Sequence, residues 1–502
     1  MGRFWELFSF SRCFSERGEP TVKYETGRSL FENLNIKPNA LGIPPSKYYT
    51  ITDLIGQGSM GSISLAIKKG KTIEGQEQEY AIKTVILSRV SDTFIKELRN
   101  EIDVLRSLHH PNIVKAYETY EEHIGNISIV MDFCSGGDLY TRQPYSERES
   151  ARIIEKLLSA IAFMHSKNVS HRDIKFENIM FASTKPNAEI KLIDFGLSKA
   201  YLEDQAHFSD FAGTLTTMAP EVFTKNYTNK ADLWSIGVVC YMLIASRKPF
   251  RAKSRKQLAK IIMKCQYSFI DEDWKSKSNQ SKDFIKKLLV IDQGKRLSAI
   301  EAVSHKWFEV NLSDEKPDES VLQRVGMELD SYKRYGTMKK ISMLAIAKMS
   351  SSTQLEEMKV VFESYDTEKD GKLTYSEFKN AMLKFNYSKK ELDVMFKMLD
   401  IDGDGFIEYS EFLAATVQMS SRLSEDRIYE CFKKFDTDNS GQISYEELRT
   451  ILGSDYSEDL VTKLVKEMDS DGDGTISYEE FFKSIQKNNL EKVRKESIGH
   501  NL

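Results

Sequence analysis

At 502 residues the chain exceeds what one hydrophobic core supports and calls for two or more domains. Hydrophobic residues at 40% and charged residues at 29% describe an ordinary globular polypeptide and exclude wholesale disorder. The net charge of −4 is small but uneven: Asp and Glu crowd the last third, whereas Lys333, Arg334, Lys339 and Lys340 cluster just before it. No basic, aromatic-laced surface emerges, so nucleic acid is not an expected partner. The five cysteines (Cys13, Cys134, Cys240, Cys265, Cys431) are scattered, without CxxC, which suits reduced thiols in the cytoplasm rather than a disulfide framework or zinc site. The longest apolar run, Leu233 to Ala245, is too short to span a bilayer and predicts a buried helix.

In chain order, residues 1–48 read as a variable, partly disordered extension with no secretory signal. Gly2 and Cys13 are acceptors for acyl chains and the expected route to any membrane contact. However, Glu6 stands where the acylation pattern prefers Ser or Thr, and one acyl chain holds a membrane only marginally. From Tyr49 short β-branched runs, Ile63 to Ile67 and Tyr80 to Val85, predict strands, with Lys68 to Glu79 as a polar connection between them. An amphipathic helix follows around Phe94 to Leu108. Beyond Met131 the pattern is mainly helical, with loops at 170–180 and 194–221. The expected order is a small β-rich lobe and a larger α-rich lobe ending near Phe308, then a charged segment, 309–330, leading to a further helical stretch.

The first chemical signal is Gly56-Gln57-Gly58-Ser59-Met60-Gly61, preceded by Ile55 and followed by Ser62 and Ile63, between predicted strands. Glycines let backbone amides approach phosphate oxygens closely. Alone this is also what an unliganded glycine-rich hairpin looks like, and it lacks the GK[ST] ending of a P-loop. Ala81-Ile82-Lys83 then sets a lysine on the next strand, and Glu101 on the following helix is placed to pair with it. His171-Arg172-Asp173-Ile174-Lys175-Phe176-Glu177-Asn178, Asp194-Phe195-Gly196 and Ala219-Pro220-Glu221 follow. Their order and spacing leave little room for chance.

Residues 49–308 therefore resemble a eukaryotic protein kinase. The resemblance implies that Asp173 accepts the proton of a substrate hydroxyl, that Lys175 steadies the transferring phosphoryl group, and that Asn178 and Asp194 hold Mg2+. Lys83, fixed by Glu101, would reach the α- and β-phosphates of ATP. A Lys at position 175 is similar to the serine/threonine-specific branch. Met131 would be the gatekeeper, with the backbone of Asp132 and Cys134 facing adenine, Ile63, Ala81 and Met180 sandwiching the ring, and Asp138 reaching the ribose. Plain core packing explains Met131 and Met180 equally well. Asp232 would be structural, and Arg296 would pair with Glu221. Asp210 aligns with a common activation-loop phosphosite, where a carboxylate can pair with Arg172 unmodified. Leu215-Thr216-Thr217 departs from the aromatic pair usual before Met-Ala-Pro-Glu. Asp138 and Glu177 are similar to acidic positions that read basic residues upstream of the acceptor.

Four acidic twelve-residue patterns then recur at intervals of roughly 35 residues. An EF-hand loop takes oxygen ligands at positions 1, 3, 5, 9 and 12, a glycine at 6, and a backbone carbonyl at 7. The first loop offers Asp366, Glu368, Asp370, Gly371, Lys372, Thr374 and Glu377; the second Asp400, Asp402, Asp404, Gly405, Phe406, Glu408 and Glu411. The third offers Asp436, Asp438, Ser440, Gly441, Gln442, Ser444 and Glu447; the fourth Asp469, Asp471, Asp473, Gly474, Thr475, Ser477 and Glu480. Position 8 is apolar each time (Leu373, Ile407, Ile443, Ile476), as paired loops that share a β-bridge require. Ca2+ is the expected ion. Glu368 is longer than the usual residue at position 3 and is expected to crowd its site. The third loop, with fewer carboxylates than the second, is expected to be among the weaker sites.

Between these halves Met338, Ile341, Ala345 and Met349 recur at helical spacing beside Leu344, with Lys339, Lys340 and Lys348 around them. A basic amphipathic helix suits a calmodulin-like groove; an ordinary helix packed on the large lobe is the alternative. The whole arrangement resembles the calcium-dependent protein kinases of plants and protists. It implies an α+β bilobal protein kinase fold followed by an all-α calmodulin-like domain of two EF-hand pairs. The expected boundaries are 1–48 extension, 49–308 kinase, 309–353 autoinhibitory junction, 354–487 calmodulin-like domain and 488–502 tail. A calcium-activated serine/threonine kinase acting on proteins near basic residues, with its own EF-hands as regulator, is the implied activity. A calcium-binding pseudokinase or scaffold is the alternative, and the presence of Lys83, Asp173, Asn178 and Asp194 argues against it. Activation by a separate calmodulin loses force because the chain supplies four loops of its own.

Overall fold

The computed structural model describes residues 38–39, 42–69, 78–123, 125–201, 207–270, 272–312, 318–350, 355–420, 425–452 and 458–486. Gly2, Cys13 and most of the connection after Lys68 lie outside them.

The small lobe is one sheet built from β1 (Pro38–Asn39), β2 (Tyr49–Gln57), β3 (Gly61–Lys68), β4 (Glu79–Ile86), β5 (Ala116–Glu122) and β6 (Asn126–Asp132). Their order is β1-β5-β6-β4-β3-β2; the five longer strands pair antiparallel, and only β1 runs parallel to its neighbour. Both predicted strands are present, each about a residue longer at its ends. Helix α1 (Asp92–Ser107) starts where the Ser91 hydroxyl accepts the Phe94 amide, and it buries Leu98, Ile102, Val104 and Leu105.

The large lobe is organised by α2 (Glu147–Ser166) and α3 (Lys230–Ala245). A capping box between Ser146 and Glu149 fixes the start of α2. Helix α3 has no polar face; its residues from Ala231 to Ala245 are all buried, as the uninterrupted apolar run requires. Arg296 is buried and forms a two-pronged pair with Glu221, the second contact at 2.9 Å.

The junction differs from its sequence reading. The charged segment includes a helix, α4 (Glu319–Tyr332), capped by Asp318 and burying Val325, Leu329 and Tyr332. Their helical spacing was masked by the charges between them. Helix α5 (Thr337–Met349) is not amphipathic at all: Met338, Lys339, Ile341, Ser342, Met343, Leu344 and Lys348 are all buried. Two lysines place their ammonium groups over aromatic faces, Lys339 over Tyr335 at 4.2 Å and Lys340 over Tyr332 at 5.1 Å. Helix α5 lies in the same apolar core as the EF-hand helices and packs mainly on α6 (Tyr409–Ser420).

The EF-hand region docks on the kinase through partly buried ion pairs. Lys156 meets Glu363 at 2.6 Å, Glu189 meets Lys359 at 2.9 Å, Glu118 meets Lys434 at 3.4 Å and Lys68 meets Glu430 at 3.3 Å. Lys167 pairs with Glu408, and Lys115 donates to the Ala347 and Ser350 carbonyls at 3.2 and 2.9 Å, closing the end of α5.

Candidate functional site

Between the lobes opens a cleft lined mainly by apolar side chains, with a few charged groups among them. Ile55, Ile63, Ala81, Lys83, Glu101, Met131, Asp132, Cys134, Met180 and Asp194 all line it. Gly56, Gln57, Gly58, Ser59, Met60 and Gly61 make the β2–β3 turn, closed by Gly58 N–H on the Gly61 carbonyl at 2.9 Å. Gly61 has no room for a side chain: a Cβ would lie 1.9 Å from the Thr84 carbonyl. The Asp132 amide is spent on the Lys115 carbonyl at 2.9 Å, and its carboxylate accepts from Tyr117 at 2.6 Å and faces Lys191 at 3.4 Å. Asp138 sits at a bridge to Met180 and accepts the Tyr140 amide.

Lys83 Nζ donates to both Glu101 carboxylate oxygens, at 2.6 and 2.9 Å, joining β4 to α1. Burial pulls the ammonium down, but the Glu101 and Asp194 carboxylates outweigh it and hold Lys83 above its ordinary range. Opposite, Lys175 Nζ donates to Asp173 at 2.6 Å, Thr214 Oγ1 donates to the other Asp173 oxygen at 2.7 Å, and Asn178 Nδ2 donates to the Asp173 carbonyl at 2.9 Å. Thr214 is the residue that sequence reasoning missed. It lies 41 residues from Asp173 in the chain, and only the fold brings the two together.

Asp232 holds this loop from beneath. It accepts the His171 and Arg172 amides, at 3.0 and 2.8 Å, and the Ser170 hydroxyl. Asp194 adopts φ +64° and Arg172 φ +67°, a backbone state that costs energy in non-glycine residues and that the surroundings must enforce. Phe195, fully buried against the His171 ring at 5.0 Å, is part of that enforcement. Arg172 Nη1 meets Asp210 at 2.6 Å. Burial works against ionisation, yet the guanidinium keeps the Asp210 carboxyl below its ordinary range. A depressed carboxylate stabilises the fold above its unfolded pKa and loses that contribution only as pH falls through the lower folded value. The activation segment therefore keeps this clamp throughout the neutral range.

The residues fit a divalent cation. Asn178 Oδ1 is buried with no hydrogen-bond partner, an orphaned acceptor beside the Asp173 and Asp194 carboxylates.

In the EF-hand region the position-8 residues bridge as expected, Leu373 to Ile407 and Ile443 to Ile476. Carboxylate oxygens converge within 4.8 Å in three loops: Asp400, Asp402 and Glu411; Asp436, Asp438 and Glu447; Asp469, Asp471 and Glu480. Asp404 joins Asp402 and Glu408 in a further group. Asp473 accepts the Thr475 amide and hydroxyl, and Ser440 the Gln442 amide; the Phe406 amide goes to Asp404. Burial, with Asp402 and Glu408 adding to it, pushes the Glu411 carboxyl well above its usual range, the situation a bound cation relieves. The first loop differs: among the described residues Asp366, Asp370 and Glu377 form no such group, Glu368 is exposed rather than crowded inward, and Lys372 lies over Phe406 at 3.5 Å.

A bilobal cleft that carries Lys83, Glu101, Asp173, Asn178 and Asp194 in this arrangement is that of a protein kinase, and the paired loops are those of EF-hands. Residues 49–308 match the protein kinase domain, and 355–417 and 425–486 each match the EF-hand domain pair. Calcium-dependent protein kinase 3 of Plasmodium berghei is 34% identical over 79% of this chain and 71% of its own length. Calcium-dependent protein kinase 21 of Arabidopsis thaliana is 32% identical over 81% and 76%, and calcium-dependent protein kinase 11 of Oryza sativa 31% over 87% and 75%. The chain belongs to the calcium-dependent protein kinase family. It is a calcium-regulated serine/threonine kinase that uses ATP, Mg2+ and Ca2+, acts on protein substrates, and carries its EF-hand region as an intramolecular regulator. No helix among the described residues is long and apolar enough to cross a membrane.

Proposed function

We propose that Asp173 accepts the proton of the substrate hydroxyl while Lys175 neutralises charge on the transferring phosphoryl group. The network in which Lys175 and Thr214 hold the two Asp173 oxygens carries this reading, because it fixes the orientation of the carboxylate. Lys83, fixed by Glu101, binds the α- and β-phosphates, and the Gly56–Gly61 turn covers them with amides. Ile63, Ala81 and Met180 enclose adenine at the Asp132 carbonyl and Cys134 amide, with Ile55 at the rim, Met131 behind and Asp138 at the ribose. Asn178 and Asp194 hold Mg2+, which shields phosphate charge when bound. Asn178→Ala is expected to raise the Mg2+ needed for half-maximal rate about tenfold or more, measured on a peptide substrate; an unchanged requirement contradicts the assignment.

The domain limits follow the same reading: kinase 49–308, junction 309–353, calmodulin-like region 354–487. Calcium at the second, third and fourth loops stabilises the wrapped state of α5, and the junction restrains the kinase without it. With fewer charged ligands the third loop binds more weakly than the second, so Glu447→Gln shifts the activation curve less than Glu411→Gln.

The Arg172–Asp210 pair supports activity without loop phosphorylation. Phosphatase treatment is expected to leave the calcium-stimulated rate unchanged, whereas Asp210→Ala lowers it about tenfold; a large loss on dephosphorylation contradicts this. Asp138 and Glu177 favour basic residues upstream of the acceptor, and neutralising both should narrow the preference for an Arg-containing peptide. Any membrane contact would run through acylation of Gly2 or Cys13.

A further inference from the structure

Among the described residues, the first EF-hand loop alone of the four lies against the kinase through its position-6 glycine. At Gly405, Gly441 and Gly474 an added Cβ would meet nothing within 4 Å. At Gly371 it would lie 2.7 Å from the His110 ring and 3.0 Å from Phe163 Cβ. His110 cannot simply turn aside. One ring nitrogen bonds Ser159 at 3.1 Å and the other accepts the Asn112 amide at 3.0 Å, so the kinase surface is preformed. Two demands therefore fall on Gly371: φ of +82° and direct contact with another domain.

The loop's acids follow the same pattern. Asp370 at position 5 is 6% exposed, whereas its counterparts Asp404, Ser440 and Asp473 are open to solvent; Asp366 at position 1 is buried, as is Asp436, while Asp400 and Asp469 are half-buried. Two ion pairs from the helix that enters the loop cross the interface, Lys156 to Glu363 and Lys359 to Glu189. Meanwhile the metal-binding side is incomplete. Glu368 takes the position 3 that an aspartate holds in each other loop, and the three-carboxylate group present in those loops is missing here. Ca2+ needs six to eight oxygens, and a loop whose carboxylates do not converge and that is shut against a protein surface supplies few of them.

We propose that the first EF-hand is a docking element that seats the sensor on the large lobe and takes no calcium, so that the chain loads three ions. This rests on the reading of the other three loops as calcium sites. The hand keeps its EF-hand fold because its loop is closed internally. Glu377 accepts the Thr367, Glu368 and Thr374 amides, and Asp366 accepts the Gly371 amide. Its sheet partner is the second loop, so a calcium-dependent rearrangement there reaches the docked surface directly.

Two measurements on the full chain test this. Calcium stoichiometry, by calorimetry or native mass spectrometry at saturating Ca2+, is expected to be three for the natural chain and for Glu377→Gln. It is expected to be two for each of Glu411→Gln, Glu447→Gln and Glu480→Gln. Four ions, falling to three in Glu377→Gln, overturn the proposal; no binding at all would instead overturn the reading of the other loops. For docking, Lys156→Glu is expected to raise the calcium needed for half-maximal phosphate transfer about tenfold, and adding Glu363→Lys to restore it to within about threefold. An unchanged requirement in the single variant, or no rescue in the double, overturns the docking role.

Discussion

Asp173→Asn is expected to lower phosphate transfer by about a thousandfold or more at saturating ATP and calcium. Asn cannot accept the hydroxyl proton, and its amide would put a donor against the Lys175 ammonium, which now donates to Asp173 at 2.6 Å. The carbonyl contact with Asn178 is backbone and survives, so the loop keeps its shape. The variant should unfold at nearly the natural temperature and bind calcium normally. A loss of less than about tenfold in kcat would show that Asp173 is not the group that receives the proton.

Leu344→Asp has the second largest expected effect, and it acts from the far end of the molecule. Leu344 is fully buried at the centre of α5, in the apolar core that α5 shares with the EF-hand helices. An unpaired carboxylate there costs about 4 kcal/mol, roughly a thousandfold in the ratio of wrapped to unwrapped helix. The rate in saturating calcium should fall to the rate in chelator, while the thermal transition of the kinase lobes persists. Leu344→Met, close in volume, should retain most of the calcium response. Full stimulation in Leu344→Asp would mean that enclosure of α5 has no part in activation.

The catalytic half was readable in the sequence where its chemistry is local. Asp173, Lys175 and Asn178 lie within six residues, and Lys83 and Asp194 sit in short motifs whose order is diagnostic. The Lys83–Glu101 pair, expected from the motif order, and the Arg296–Glu221 pair, implied by the kinase resemblance, are present as ion pairs. Thr214 was not readable as a partner of Asp173, because a threonine in a loop carries no pattern until the activation segment folds back. In the regulatory half, the apolar residues at position 8 forecast both loop bridges. The burial of α5 escaped, since Lys339 and Lys348 give it a basic character that only stacking and enclosure cancel. Helix α4 escaped for a similar reason: the apolar residues Val325, Leu329 and Tyr332 are separated by charges that read as solvated. The contact between Gly371 and His110 joins parts of the chain that no local spacing relates.

Lys115 gives the two halves a physical link. Its side chain closes the end of α5, while its backbone pairs with Asp132 at the nucleotide cleft. Lys115 thus contacts both the junction and the strand against which adenine is expected to lie. The same structure has the Lys83–Glu101 pair formed, so the docked sensor and an assembled catalytic cleft coexist in one arrangement.

The most direct test of calcium control is phosphate transfer by the purified chain alone to an Arg-containing serine peptide, measured first with excess EGTA and then with saturating Ca2+ at constant Mg2+. The account predicts a rate near background in chelator and a rise of at least about tenfold on adding calcium, with no other protein present. Equal rates in the two conditions would contradict it.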